Sequence, residues 1–421
     1  MNKTGSQTDV SRRHFIKSTS LVAAGAAVAP YVITSRAADD LPIKVGLIGC
    51  GGRGKGAGEN VMEADKNVKI IAVADVFEDR AKGAAAQFKV DPANCFSGFD
   101  AYKKLLAIGD INYVILATPP GFRSVHFPAA IEAGKNVFME KPVAVDGPGV
   151  RDVIAAGELA DKKNLKVAAG TQRRHQASYI ETIKRIHDGE IGDIVALRGY
   201  WNQGQIWYNP WNDKVSDMEN MLRNWYHYAW LCGDCIVEQH LHNIDVCNWV
   251  MNDHPVKAYG QGGRQIPYSF YNAKGNIWDH FAVEFEYKSG ARFYSQCRQI
   301  SNCADNVSEA ADGTKGRSNP GGNIQVKGGS NWNFEGKSRN PYVQEHVDLI
   351  AAIRNDTKLN EAVQVAHSTM TAIMGRESAY TGKIVTWEEA LNSKMTLAPA
   401  KYEMGDMPPV EIPTPGKHKF E

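Results

Sequence analysis

The sequence predicts an α/β protein whose N-terminal half is a doubly wound parallel sheet. Three observations predict this fold class. Apolar strand-like runs alternate with helical segments from residue 43 onward, a glycine-rich turn follows the first run, and alternating residues after Pro255 indicate a second, antiparallel sheet. Because 421 residues exceed what one hydrophobic core usually holds, we expect two domains.

The first half alternates strands and helices in the order that a doubly wound sheet requires. Continuous apolar strands indicate that helices cover both faces of the sheet. The predicted strands are 43–48, 68–75, 113–118, 136–140 and 166–172, and the predicted helices lie near 53–64, 78–89, 122–133 and 147–162. These elements predict a first domain over residues 38–171.

The turn after the first strand has the spacing of a dinucleotide-binding loop. It reads Gly49-Cys50-Gly51-Gly52-Arg53-Gly54, a G-x-G-x-x-G pattern that allows a tight turn and close approach of a pyrophosphate to the helix N-terminus. Asp75 ends the second strand, where its carboxylate can bind ribose hydroxyls and repel a 2′-phosphate. The pattern predicts a Rossmann-type domain that binds NAD, although Arg80 leaves NADP open. The alternative is a glycine-rich turn with a structural aspartate.

Two further segments follow strands of the same sheet. Thr118-Pro119-Pro120 and Glu140-Lys141-Pro142 come at carboxyl ends, where ligands bind in such sheets. The proline after Lys141 stiffens its turn, so we interpret this lysine as facing the cofactor crevice.

These motifs together resemble the glucose-fructose oxidoreductase and inositol dehydrogenase superfamily, Gfo/Idh/MocA. The likeness extends over about residues 42–390 and includes A-G-K-N-V-F-M-E-K-P, a QRRH segment and an H-x-x-D helix. It implies nicotinamide-linked redox chemistry at sugar or cyclitol carbons. It also implies a C-terminal α/β domain with a large open, mainly antiparallel sheet, through which homo-oligomers form. In the family, the lysine that matches Lys141 contacts nicotinamide and substrate, and the Lys-Pro bond is usually cis.

Residues 233–251 read as one helix with a polar stripe beside an apolar one, which is typical of a helix lining a cavity. His242 suits acid-base work near neutral pH, and the resemblance implies that it is the proton acceptor. The family usually has an aspartate four residues before this histidine, and here Glu238 stands there. We predict that Glu238 and Asp245 hydrogen-bond to the imidazole. The alternative is a buried structural histidine with capping carboxylates.

Candidate substrate residues lie at and beyond the end of the strand predicted over 166–172. Gln172, Arg173, Arg174 and His175 offer donors to sugar hydroxyls, although the two arginines could instead form an interface or a solvated pair. The segment 201–230 is rich in aromatic and amide side chains, including Trp201 and Tyr226, which suits sugar rings. An aromatic oligomer interface explains its composition equally well.

The C-terminal half predicts an antiparallel sheet and two returning helices. Phe281, Val283, Phe285 and Tyr287 share one face of a strand, and Ser289-Gly290 marks a hairpin turn. Residues 342–355 and 360–381 read as helices that return to the first domain. The second domain is therefore predicted over 172–390, for substrate binding and oligomerisation. Residues 391–421, rich in proline and polar residues, predict an extended arm or a disordered tail.

The N-terminus has the pattern of a twin-arginine signal peptide. SRRHFIK at residues 11–17 precedes a short apolar stretch and a small-x-small site at Ser35-Arg36-Ala37, which predicts removal of residues 1–37 and a periplasmic protein. Because this pathway exports folded proteins, the dinucleotide would leave with the protein, bound tightly. A second carbonyl substrate or another electron acceptor must then regenerate it.

Composition excludes several other classes. The net charge of +1 offers nothing to attract nucleic acid, and after the leader no stretch predicts a stable membrane anchor. The seven cysteines are an odd number and too few for a disulfide-stapled protein. Cys232 and Cys235 could form a redox pair or half of a zinc site with His240 and His242, but no second C-x-x-C exists and we predict no metal.

The sequence as a whole predicts an exported NAD(P)-dependent oxidoreductase that acts on a secondary hydroxyl of a sugar or glycoside. C3 of a glucoside is the candidate carbon, and the product would be a 3-keto sugar. One alternative is an NAD-dependent glycosidase that cleaves by transient oxidation and elimination. Another, from a different class, is a sugar-binding protein without catalysis.

Overall fold

The computed structural model describes residues 41–265 and 274–420, which belong to one compact unit. The predicted signal peptide lies outside these residues. Two sheets organise the described part of the chain, one parallel and one mainly antiparallel, so the predicted fold class is confirmed. The predicted domain boundaries stay predictions.

The first sheet is parallel, and within the described residues it has six strands in the order β3-β2-β1-β4-β5-β6. The strands are β1 (Ile43–Ile48), β2 (Val68–Asp75), β3 (Cys95–Ser97), β4 (Tyr113–Leu116), β5 (Asn136–Met139) and β6 (Val167–Ala169). The accompanying helices are α1 (Gly52–Ala64), α2 (Glu78–Phe88), α3 (Ala101–Leu106), α4 (Arg123–Glu132) and α5 (Gly147–Lys162). The sequence analysis missed β3 and α3, because three residues at a sheet edge and six helical residues are too few to show a clear periodicity.

The second sheet has nine strands among the described residues, in the order β14-β13-β12-β11-β7-β10-β9-β8-β15. They are β7 (Ile194–Gln203), β8 (Pro255–Gly263), β9 (His280–Tyr287), β10 (Arg292–Gln299), β11 (Asn306–Gly313), β12 (Gly316–Asn319), β13 (Asn323–Val326), β14 (Trp332–Asn333) and β15 (Ile384–Thr386). β7 and β10 pair in parallel, and the other pairs are antiparallel. The predicted β9 face from Phe281 to Tyr287 is buried, and Gly290 takes the positive φ of +89° that the predicted hairpin requires.

Several of the remaining helices pack on this sheet, and two of them also pack on the first domain. The remaining helices are α6 (Ala177–His187), α7 (Asp217–Arg223), α8 (Ala229–Cys232), α9 (Cys235–Glu238), α10 (Leu241–Met251), α11 (Pro341–Asn355), α12 (Ala362–Thr381) and α13 (Trp387–Asn392). α11 packs on α1, while α12 packs on both α5 and β8, which confirms the two returning helices. Among the described residues, no helix combines the length and the apolar character needed to cross a bilayer.

The prediction of a single helix over 233–251 is wrong, because the helix is interrupted between α9 and α10. The N–H of His240 donates to the carbonyl of Cys235, five residues back, and regular helical bonding resumes only from His240 onward. The break changes which way Glu238 points relative to His242.

The C-terminal residues 393–420 form an extended arm without helix or strand that packs along the protein. Leu397 and Tyr402 join an apolar cluster that includes Phe122 and Trp230. Hydrogen bonds hold the arm at intervals, from the N–H of Leu397 to Asp146 (2.8 Å), from Trp278 Nε1 to the carbonyl of Pro413 (3.2 Å) and between His418 and Glu377 (2.9 Å). Of the two predicted forms, the arm is the one observed.

Candidate active site

A cavity of about 370 Å³ lies at the carboxyl ends of the parallel strands. The glycine loop and Asp75 line one end, and Lys141, Glu238 and His242 line the other. Every predicted cofactor residue contributes to its wall, namely Gly49, Gly51, Gly52, Arg53, Gly54, Asp75, Thr118, Pro119, Glu140 and Lys141. The sheet brings them together because β1, β2, β4 and β5 end at the same edge.

The glycine loop has the geometry that its spacing predicts. Gly49 has a φ of +95°, which favours glycine. A Cβ on Gly54 would lie 1.8 Å from the carbonyl oxygen of Gly49, so only glycine lets α1 approach the strand so closely. A Cβ on Gly51 would meet no atom within 4 Å, and Gly51 lines the cavity. The loop therefore leaves open the space in which a pyrophosphate would lie against backbone N–H groups.

Asp75 is held in place by the backbone. Its Oδ2 accepts from the N–H of Cys50 (2.7 Å), and its Oδ1 accepts from the N–H of Phe77 (2.9 Å). Burial raises the pKa of its carboxyl, and these two hydrogen bonds oppose the rise. Because each carboxylate oxygen has a second lone pair, the fixed Asp75 can still accept from ribose hydroxyls.

Arg53 connects the glycine loop to β5 and to α11. Its Nε donates to Glu140 Oε1 (2.5 Å), and its guanidinium lies 5.0 Å from the ring centre of Tyr342. It also lies 3.5 Å from the fully buried Glu345, whose pKa is raised well above its usual range by burial and by the charge of Glu140. Arg53 thus ties the glycine loop to Glu140, the residue directly before Lys141.

A buried arginine that the sequence did not predict supports the two strand-end motifs. Arg123 is 0% exposed, and it donates to the carbonyl of Glu140 (3.0 Å) and to the carbonyl of Thr118 (2.8 Å). The signal in the sequence was the position of Arg123 about one turn after the T-P-P motif. Nothing else in the sequence distinguishes Arg123 from a surface arginine. By bridging the ends of β4 and β5, it fixes the position of Lys141.

Lys141 and Glu238 form a buried ion pair at the substrate end. Lys141 Nζ donates to Glu238 Oε1 (3.0 Å) and to the carbonyl of Glu238 (2.5 Å), and the Lys141–Pro142 bond is cis as the resemblance implied. The second oxygen of Glu238, Oε2, is buried and has no hydrogen-bond partner among the described residues. An unpartnered carboxylate oxygen in a cavity wall can accept a hydrogen bond from a substrate hydroxyl.

His242 lies in the cavity wall beside Trp201, with ring centres 5.7 Å apart and nearly parallel planes. Burial lowers the pKa of His242 well below its usual range, and the nearby positive charges of Lys141, Arg173 and Arg53 lower it further. The lowered pKa favours the neutral imidazole, which has a ring nitrogen able to accept a hydrogen bond from a substrate hydroxyl.

The predicted contacts of His242 with the two carboxylates are wrong. Glu238 bonds to Lys141 instead, because the break between α9 and α10 turns it away. The Asp245 carboxylate accepts from Arg174 Nε (2.8 Å), from Gln364 (2.6 Å) and from the Ser368 hydroxyl (2.8 Å), and it does not line the cavity. Among the described residues, the His242 ring has no hydrogen-bond partner.

The predicted substrate residues separate into three groups. Trp201 lines the cavity with His242, whereas Gln172 and Arg173 line a second cavity next to it.

Three others line neither cavity. Arg174 pairs with Asp245, and His175 is buried between Asp348 (2.6 Å) and Glu361 (3.3 Å). Tyr226 is 2% exposed, and its hydroxyl accepts from Gln299 (2.5 Å). Each of these side chains pairs with another side chain of the protein and lines neither cavity, which corrects the prediction that they face a substrate.

Phe99, Phe122 and Tyr342 line the cavity and were not predicted. Phe99 and Phe122 form an aromatic wall with Trp225, which belongs to the predicted aromatic segment 201–230, and Tyr342 lies on the other side. These residues come from distant parts of the chain, so no local spacing in the sequence indicates that they meet. Their rings suit the flat faces of a dinucleotide.

Cys232 and Cys235 are buried thiols in adjacent short helices. Cys235 Sγ lies 3.8 Å from Cys297 Sγ, and not against Cys232. In the described ranges, no cluster of three or more His, Cys, Asp or Glu side chains is arranged to hold a metal ion.

Comparison with known families agrees with this geometry. The oxidoreductase family Gfo/Idh/MocA, with its NAD-binding Rossmann fold, matches residues 43–171, and the C-terminal domain of the same family matches residues 179–318. The chain therefore belongs to the Gfo/Idh/MocA family.

The individual relatives have low sequence identity to this chain. The inositol 2-dehydrogenase of Klebsiella pneumoniae (strain 342) is 26% identical over 250 residues, which span 59% of this chain and 65% of that protein. Levoglucosan dehydrogenase, solved with NADH and levoglucosan, has a TM-score of 0.65 at 18% identity over 82% of this chain and 99% of its own. The aldose-aldose oxidoreductase from Caulobacter crescentus, solved with glycerol, has a TM-score of 0.65 at 19% identity with the same coverage. The two structures share this fold.

Proposed function

We propose that this protein is an NAD-dependent dehydrogenase that oxidises a secondary hydroxyl of a sugar or glycoside. The observation that carries the proposal is one cavity with a glycine-loop phosphate site at one end and Lys141, Glu238 and His242 at the other. The relatives named for inositol, levoglucosan and aldoses support a polyhydroxylated ring as the substrate class.

The residues around the cavity fit a nicotinamide dinucleotide. Gly51 leaves space for the pyrophosphate, Asp75 offers acceptors to the ribose, and the aromatic wall offers ring faces. Asp75 also favours NAD over NADP, because a 2′-phosphate would meet its carboxylate. A bound nicotinamide would supply the hydride acceptor.

The side chains at the substrate end have separate roles. His242, kept neutral, accepts the proton of the substrate hydroxyl. The Lys141 ammonium donates a hydrogen bond to the same oxygen and stabilises the negative charge that develops there. Glu238 holds Lys141 through Oε1 and accepts from a neighbouring substrate hydroxyl through Oε2. Loss of this proton and of one hydride converts the alcohol to a ketone.

The finer parts of the proposal concern location and turnover. The twin-arginine pattern at residues 11–17 supports export to the periplasm with the cofactor bound, and C3 of a glucoside is the candidate carbon. A retained cofactor needs a second carbonyl substrate or another electron acceptor. Homo-oligomers through the open face of the second sheet agree with its exposed Tyr259 and Tyr294.

The test has two stages. Mass spectrometry of the denatured, as-purified protein detects a retained nicotinamide dinucleotide, with affinity for added NAD and NADP measured in parallel. The protein is then incubated with sugars, cyclitols and aryl glycosides while nicotinamide absorbance and released aglycone are followed together. Reduction without aglycone release supports the dehydrogenase, release without net reduction indicates a glycosidase, and sugar binding with neither indicates a binding protein. Absence of bound dinucleotide together with no affinity for either would refute the proposal.

A further inference from the structure

A second cavity of about 440 Å³ adjoins the substrate end of the first. Tyr342 lines both cavities. Trp201 of β7, in the wall of the first, is the direct cross-strand partner of Val307 of β11, in the wall of the second. Because directly paired residues project from the same face of a sheet, the two cavities are neighbours on that face.

The second cavity is lined mainly by neutral polar groups and ring faces. Tyr179 and Tyr342 present their rings, and the buried Oε1 of Gln172 has no hydrogen-bond partner among the described residues. The two charged groups of the wall, Arg173 and Glu309, form a salt bridge with each other. Such a wall offers no net charge to an ionic ligand, whereas aromatic faces beside amides and hydroxyls suit a neutral ring bearing hydroxyl groups.

We propose that this second cavity is a subsite for a second sugar ring, so that the preferred substrate is a neutral glycoside of at least two rings. The inference depends on the proposed function, since it assumes that the first ring lies between Lys141 and His242. A free cyclitol or monosaccharide would fill only the first cavity and leave the Gln172 acceptor unsatisfied.

The test compares one-ring and two-ring substrates in the holoprotein. Methyl glucoside, cellobiose and maltose are compared by kcat/KM, in the wild type and in Val307→Trp, which fills the second cavity. Val195→Trp is the matched control, because Val195 lies on β7 away from both cavities and is 55% exposed. We expect at least one disaccharide to be preferred over methyl glucoside by about tenfold or more, the worth of a modest set of contacts. Val307→Trp should lower that ratio about tenfold, while Val195→Trp should leave it unchanged.

A second variant covers the case in which Val307→Trp unfolds. Gln172→Met removes the unpartnered amide oxygen at nearly constant volume, and it should raise KM for the preferred disaccharide with little change in kcat. A wild type without disaccharide preference, or a Gln172→Met variant with unchanged disaccharide KM, would overturn the subsite.

Failure of the proposed function gives a different result. If no sugar reduces the bound nicotinamide, the dehydrogenase proposal fails, and calorimetric titration of cellobiose then tests the subsite alone. Binding to the wild type that Val307→Trp weakens about tenfold supports the subsite, and equal affinity for both proteins refutes it.

Discussion

Replacing His242 with alanine should separate catalysis from folding. The imidazole has no hydrogen-bond partner among the described residues, so its removal leaves no buried group unpaired. What is lost is a neutral proton acceptor, which typically contributes about 10²–10⁴ in rate, or about 3–5 kcal/mol of barrier at 1.36 kcal/mol per decade. We expect kcat to fall by that factor, while retained dinucleotide and the melting temperature change little.

His240→Ala is the matched control, because His240 lies two residues away and has the opposite role. It is fully buried, hydrogen-bonds to the Ser295 hydroxyl (2.7 Å) and lines neither cavity. Its removal leaves that hydroxyl unpaired, at a cost of about 1–3 kcal/mol in the free energy of unfolding. Turnover per folded molecule should stay near the wild-type value. Thermal unfolding and steady-state kinetics measure both quantities, and a His242→Ala variant within tenfold of wild-type kcat would refute the assignment.

Three further outcomes are expected. Gly54→Ala should abolish dinucleotide binding and lower the melting temperature, because the new Cβ would lie 1.8 Å from the Gly49 carbonyl oxygen. Gly83→Ala is the control: its Cβ would meet no atom within 4 Å, so it should be neutral or slightly stabilising. Burial alone would lower the pKa of His175, but hydrogen bonds to its carboxylate neighbours outweigh this and raise it to about 10. The folded pKa exceeds the unfolded value of about 6.5, so the stabilisation by protonated His175 is complete below pH 6.5 and is lost as the pH rises toward 10. The free energy of unfolding, measured in urea, should therefore decline less over this pH range in His175→Gln than in the wild type. Ending the chain after residue 392 removes the arm from the apolar cluster behind the aromatic wall, and it should speed release of bound dinucleotide in a dilution assay; an unchanged release rate would show that the arm has no part in retention.

The sequence predicted the cofactor end of the site well. Gly49, Asp75 and Lys141 lie at strand ends, and in a parallel sheet all such ends meet at one edge, so local spacing is enough to place them together. The periodicity of the apolar runs is equally local, which is why five strands and four helices of the first sheet were found close to their observed bounds.

The substrate end of the cavity was predicted less well, because its contacts join residues that are far apart in the sequence. The helix is interrupted at Gln239, so Glu238 bonds to Lys141 and the His242 ring has no hydrogen-bond partner among the described residues. Asp245 lies on a helix as expected, yet its carboxylate bonds to Arg174 and to two residues of α12 more than a hundred positions later. Tyr342, which borders both cavities, lies near the start of α11 and belongs to no recognisable motif.

The arm at residues 393–420 has a consequence for the firmness of the aromatic wall. Tyr402 lies 6.3 Å from Phe99 and 5.3 Å from Phe122, measured between ring centres, so the arm forms the backing of these two rings. A segment without helix or strand of its own opens more easily than a sheet does. The rigidity of this side of the cavity therefore depends on how firmly the arm is attached, and not on the parallel sheet alone.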